Sequence, residues 1–177
     1  ARAQARLLMA FTDLGIMYPE PDVLVCPQIL PQYAGAPPTQ RYLTGPEYFV
    51  LDPSFRVAER SVAPVAKRVV VVLGGALPQH VMEWVCDLGR ACADQPFDVE
   101  VIAGFDGAQP TLLAHVTWVN PGDHLAQCLI HADLAVAACG YVKNELAAMG
   151  VPAILVSIVD HQAELGRVFA AQTHCAV

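Results

Sequence analysis

Charge is scarce in this sequence. Only 15% of its 177 residues are Asp, Glu, Lys or Arg, and the 10 basic residues are outnumbered by 17 acidic ones, giving a net charge of −7. A phosphate backbone requires a basic surface, so nucleic acid is excluded as the main partner. No apolar run approaches the ~20 residues that span a bilayer, so no transmembrane segment is expected. The cysteines Cys26, Cys86, Cys92, Cys128, Cys139 and Cys175 form no CxxC pair. Most lie in apolar patterns, which predicts reduced, largely buried thiols in a cytoplasmic protein. GxGxxG with its following acidic residue is missing, which argues against a dinucleotide site, and no Gly-Lys-Ser/Thr follows the glycines to make a P-loop. Ser157 lacks a GxSxG context and has no convincing base. His131, Asp133 and Asp106 are scattered, and no His/Cys spacing fits zinc, so neither a metal nor a cofactor is expected.

What is present is apolar. Hydrophobic residues make up 55% of the chain, which excludes disorder and fits strands buried on both faces. The most informative stretch is Leu134–Ser157. Leu134-Ala-Val-Ala-Ala138 reads as a buried strand, and Cys139-Gly140 as a tight turn. Tyr141–Met149 reads as a helix with Val142, Leu146 and Met149 at helical spacing. Gly150 and Pro152 stop that helix, and Ala153–Ser157 is a second apolar strand. Together they make a βαβ unit, the building block of a parallel sheet. The turn aims the first N–H groups of the helix outward, an arrangement suited to phosphate.

The same alternation extends upstream. Arg68–Leu73 is a β-branched strand followed by Gly74-Gly75 and an amphipathic helix, Pro78–Ala93, with Val81, Trp84, Val85, Leu88 and Cys92 on its buried face. Strands at 97–102 and 115–119 follow, separated by a loop at 104–110. A helix is predicted over 123–132 and a last one over 160–171. The expected fold class is α/β: a Rossmann-like, doubly wound, mostly parallel sheet. Residues 1–45 read as the tail of a preceding domain, with a helix from Arg2 to Phe11, a strand at 22–26 and a proline-broken run to about Thr39. Residues 46–66 read as a connector anchored by Tyr48, Phe49 and Phe55, and 67–177 as the domain built on the parallel sheet. The chain does not begin with Met and ends without a capping element, so a fragment of a longer protein is expected.

Ligands of such sheets bind beyond the carboxyl ends of the strands. Three loops qualify. Gly74 and Gly75 permit close approach of backbone to ligand, or form an ordinary βα turn. Cys139, Gly140 and Tyr141 offer amides to phosphate, while Glu145, one turn on, either accepts two ribose hydroxyls or is a surface glutamate. Asp160, His161 and Gln162 form a polar cluster in which Asp160 caps the last helix, or His161 or Gln162 instead faces a sugar or phosphate.

The segments LTGPEYFVLDPSF, VVVVLGGALP, HADLAVAACGYVKNELAAMGVPAILV and VDHQ resemble the second half of the nucleotide-sugar hydrolases of pseudaminic acid biosynthesis. Those enzymes share a two-domain GT-B fold with the glycosyltransferase of peptidoglycan lipid II synthesis. The resemblance covers roughly residues 42–172 and is most specific over 132–152. It implies UDP or a UDP-sugar as partner, with Gly74 and Gly75 near phosphate, Gly140 at the diphosphate, Glu145 on the ribose, and His161 and Gln162 facing the sugar or diphosphate. The family's catalytic histidine lies in a first-domain loop that this sequence does not contain, so no catalytic residue is assigned. Where the family has Ser and Asp after its first Gly-Gly, this chain has Ala76 and Leu77. Where it has Gly-Gly-Ser-Thr, this chain has Cys139-Gly140-Tyr141-Val142. Two functions follow as expectations: hydrolysis or transfer of a sugar from a UDP-sugar, or a degenerate, non-catalytic relative serving as a binding or assembly partner.

Overall fold

The computed structural model describes residues 6–12, 20–28, 41–56, 60–75, 77–103, 115–122 and 124–173. Ala76, Asp106, Cys175, the proline run at 31–39 and the 104–110 loop lie outside the described residues.

Two parallel sheets organise the chain. The larger holds five strands: β4 (Arg68–Val72), β5 (Asp98–Ile102), β6 (Val116–Val119), β7 (Leu134–Ala138) and β8 (Ala153–Val156). They run β6-β5-β4-β7-β8, every neighbouring pair parallel. The chain therefore starts in the middle, builds outward to β6, then crosses back to place β7 on the free side of β4. Helices α1 (Gln79–Ala91), α2 (Leu125–Leu129), α3 (Val142–Met149) and α4 (Asp160–Thr173) make the crossovers and the close.

The alternation of side chains along β4 and β7 explains why both faces need cover. Val69 and Val71 of β4 and Val136 of β7 pack with Val81 and Val85 of α1. Val70, Val72, Ala135 and Ala137 point the other way, toward Leu129 of α2, Leu146 and Met149 of α3 and Phe169 of α4. The sheet is thus doubly wound, as the run of apolar strands predicts.

The smaller sheet contains β1 (Met9–Phe11), β2 (Val23–Cys26) and β3 (Arg41–Thr44) in sequence order, again all parallel. Here the sequence reading is corrected. The expected helix from Arg2 to Phe11 is, in its described part, a bend at 6–7 leading into strand β1, because Met9–Phe11 pairs in register with Val23–Val25. A five-residue apolar run carries no period that separates helix from strand, and pairing decides. Between the sheets, Phe55 is buried in the core that also holds residues of α3 and β7, with Leu51 packed partly buried against it.

Two further differences concern helices. Trp84, expected on the buried face of α1, is 41% exposed. Val81, Val85 and Gly89 form the centre of that face, and Trp84 falls on its flank. The helix expected over 123–132 is the five-residue α2, Leu125–Leu129.

Candidate functional site

The centre of the sheet's carboxyl edge is where β4 and β7 part company. From β4 the chain goes to one side, and from β7 to the other, so their following loops diverge and leave a crevice. A cavity of about 260 Å³ sits there. Its walls are the ends of β4, β5 and β7, with Gly74 and Gly75, Gly140 and Tyr141, and Gln162 from α4.

Each loop is shaped by its sequence. Gly74 has φ of +126°, a conformation that L side chains rarely adopt, and a Cβ there would meet nothing within 4 Å. The glycine is therefore required by backbone conformation and not by crowding. The β7–α3 turn runs through Cys139, which is fully buried and donates its N–H to the Val156 carbonyl at 3.1 Å. Tyr141 is the N-cap of α3 with no side-chain cap hydrogen bond. Its ring is 45% exposed and lies 5.2 Å from the Phe49 ring, tilted by 41°, so the connector reaches the mouth of the crevice.

The structure thus brings Gly74, Gly75, Gly140, Tyr141 and Gln162 to one cavity. Gln162 bridges two loops: its Oε1 accepts from the Ile158 N–H at 3.1 Å, and its Nε2 stands 3.9 Å from where a Cβ on Gly140 would lie. Cys139 lies behind the wall, its thiol raised above its ordinary pKa by burial. Glu145 does not line the cavity. It is half-buried one turn further along α3, on the face shared with Tyr141 and Val142, and burial raises its carboxyl pKa. Asp160 and His161 are exposed in the first turn of α4 and do not line the cavity either.

Other polar groups have structural duties. Asp133 Oδ2 accepts from the Lys67 and Arg68 N–H groups at 2.9 and 3.0 Å, and these bonds hold its carboxyl below the usual range. Among the described residues, no cluster of three His, Cys, Asp or Glu side chains could hold a metal ion, and no helix is long and apolar enough to cross a membrane.

One residue escaped the sequence reading. Lys143, two positions into α3, is only 2% exposed. Its Nζ donates to Gln28 Oε1 at 2.6 Å, to the Gly140 carbonyl at 3.0 Å and to the Cys139 carbonyl at 3.4 Å. It also lies 5.5 Å from the centroid of the Phe169 ring. Burial lowers its pKa to about 8. A lysine inside Leu134–Pro152, a stretch with only one other charged residue, was the available signal.

A larger cavity, about 400 Å³, lies beside it between α1 and the end of β8, lined by His80, Val81, Trp84, Val156, Ser157 and Ile158. It lacks the glycine turns, and its position at the sheet's edge is not the divergence point of the strands.

No known family model matches the sequence. The chain is 26% identical over 146 residues to the spore coat polysaccharide biosynthesis protein SpsG of Bacillus subtilis (strain 168), covering 75% of this chain and 42% of that protein. Among solved structures, it aligns with the glycosyltransferase SnogD from Streptomyces nogalater at a TM-score of 0.46 and 19% identity, over 84% of this chain and 35% of that one. It aligns with the spinosyn forosaminyltransferase SpnP at a TM-score of 0.45 and 18% identity, over 86% and 40%. The chain spans less than half the length of each of these proteins, and its sequence is similar to that of a polysaccharide biosynthesis protein.

Proposed function

We propose that the five-stranded sheet is the nucleotide-binding part of a GT-B enzyme that hydrolyses a UDP-sugar, or transfers its sugar, in surface-polysaccharide or nonulosonic acid biosynthesis in the cytoplasm. The observation that carries this reading is the cavity at the divergence of β4 and β7, walled by two glycine turns. Its volume, about 260 Å³, is just under the roughly 300 Å³ at which small-molecule pockets begin. It suits the diphosphate of such a ligand and leaves the nucleoside outside, toward Glu145, and the sugar outside, past Gln162 toward His161 and Asp160. In this reading the amides of Gly140 and Tyr141 meet the diphosphate, Gly74 and Gly75 admit it closely, and the ribose extends past the cavity wall along α3, where Glu145 takes its hydroxyls. Water or an acceptor hydroxyl attacks at the sugar–diphosphate linkage, UDP departs, and the N-terminus of α3 meets the charge left on it. The base that activates the attacker lies outside this chain. The role named for SpsG supports the polysaccharide setting.

A specific observation favours a second reading, a non-catalytic relative used for binding or assembly. Tyr141 places an aromatic ring against Phe49 at the crevice mouth, and α3 has no capping hydroxyl where a phosphate turn would gain one.

Calorimetry of UDP binding to the full protein tests the proposal. Micromolar affinity, lost in Glu145→Ala, is the expected result. A folded protein that takes up no UDP at millimolar concentration would sink the nucleotide reading and leave the second one standing.

A further inference from the structure

Lys143 is a buried cation behind the wall of the cavity, and the peptide geometry around it is informative. The carbonyls of Cys139 and Gly140 precede the N-cap, so the hydrogen-bond ladder of α3 does not use them. Lys143 Nζ takes both, together with Gln28 Oε1. No cis peptide is present among the described residues. In a planar trans peptide the C=O and the following N–H point in opposite directions. Drawing the Cys139 and Gly140 carbonyls toward Lys143 therefore turns the Gly140 and Tyr141 N–H groups away from it, and both of those residues line the cavity. A hydroxyl side chain on the turn would hold an anion from the front. Here the same pair of amides is oriented from behind.

Gln28 gives the arrangement its reach. It follows β2 and is 3% exposed, 115 residues away in sequence from Lys143. The third hydrogen-bond partner of the ammonium thus comes from the segment that leaves the smaller sheet at the end of β2.

We propose that Lys143 is a positioning residue: held by Gln28, it fixes the Cys139–Tyr141 turn so that two successive amides face a diphosphate in the cavity, making anion binding there depend on the seating of the three-stranded sheet. This inference rests on the reading of the cavity as a nucleotide site. The ligand class it requires is a nucleoside diphosphate and not a nucleoside, because the oriented groups are donors for an anion. The electrostatics agree. Among the described residues the titratable group acting on the ammonium is the Cys139 thiol; the segment after β2 presents the neutral Gln28, and α4 presents the Phe169 ring. Loss of the proton near pH 8 removes both the charge and one donor.

The experiment measures UDP and uridine affinities of the full protein, native, Lys143→Met and Gln28→Leu, from pH 6.5 to 9. The expected result is a loss of about tenfold in UDP affinity for Lys143→Met, the size of one charge-assisted hydrogen bond. Gln28→Leu shows a smaller loss, and uridine affinity changes in neither. UDP affinity of the native protein falls as pH rises through about 8, and that fall disappears in Lys143→Met. Should Lys143→Met fail to fold by circular dichroism, Gln28→Leu and the native pH profile decide. UDP binding that is unchanged in the variants and flat with pH overturns this inference alone. No UDP binding by the native protein overturns the nucleotide reading and this role with it.

Discussion

Burying Lys143 has a cost that pH can reveal. Its pKa falls from the ordinary 10.5 to about 8 in the folded chain, so between those values the unfolded chain binds more protons and stability rises with pH. A shift of that size corresponds to at most about 3 kcal/mol. Urea denaturation of the native protein and Lys143→Met at pH 7.5 and pH 10 checks this: relative to the variant, the native protein gains stability at the higher pH. Asp133 shows the opposite sign. Its carboxyl is held below the usual range by the Lys67 and Arg68 amides, so its contribution is complete above the ordinary carboxylate pKa and disappears as pH falls through the depressed value. Thermal melts of Asp133→Ala are expected to show a lower Tm than the native protein at neutral pH and a shrinking difference in acid. Neither duty was legible in the sequence. Asp133 sits in a turn where an acidic residue is ordinary, and the link from Lys143 to Gln28 joins positions that no local period relates.

Local signals served the helices and strands unevenly, and α3 is the clearest success. Its termination at Gly150 follows from the sequence, and the structure shows why. Gly150 adopts the left-handed conformation at φ of +65° and donates its N–H to the Ala147 and Leu146 carbonyls. Gly150→Ala is expected to reduce stability by about 1–2 kcal/mol, roughly 2–8 °C in Tm for a chain of this size, as scanning calorimetry would measure. The strands β4, β5 and β7 were equally legible, because β-branched or small apolar runs bounded by turns have few alternatives. Trp84 and β1 were not. Spacing by three or four residues marks the side of a helix but does not separate the centre of its face from the flank, so Trp84 was placed inwards although it borders a surface cavity. For Met9–Phe11, partners 14 residues downstream decide the conformation, and a local reading contains no trace of them. The candidate site divides along the same line. The first glycine turn announces itself because the backbone at Gly74 requires a special residue, whereas the orientations of Glu145, Asp160 and His161 depend on how α3 and α4 roll against the sheet.

At the scale of the whole molecule, the net charge of −7 opposes an anionic ligand. That repulsion is long-ranged and screened by salt, while the buried Lys143 is shielded from screening. For the proposed nucleotide site, the association rate of UDP, followed by stopped flow, is therefore expected to rise as ionic strength increases from about 0.01 to 0.15 M, the reverse of a nucleic-acid binder. The strand order has another consequence, which concerns time and not position. The small sheet is completed in the order of synthesis, each strand joining the one before it. In the large sheet, β4 occupies the middle but is made first, and Val69–Val72 pair with Leu134–Ala137, over 60 residues later. Pairings of such separation form slowly. During that interval one side of β4 is a row of unpaired amides and carbonyls carrying valines, the kind of edge that recruits other chains. A nascent chain that stops before β7 should therefore aggregate, and one that extends through β7 should aggregate less.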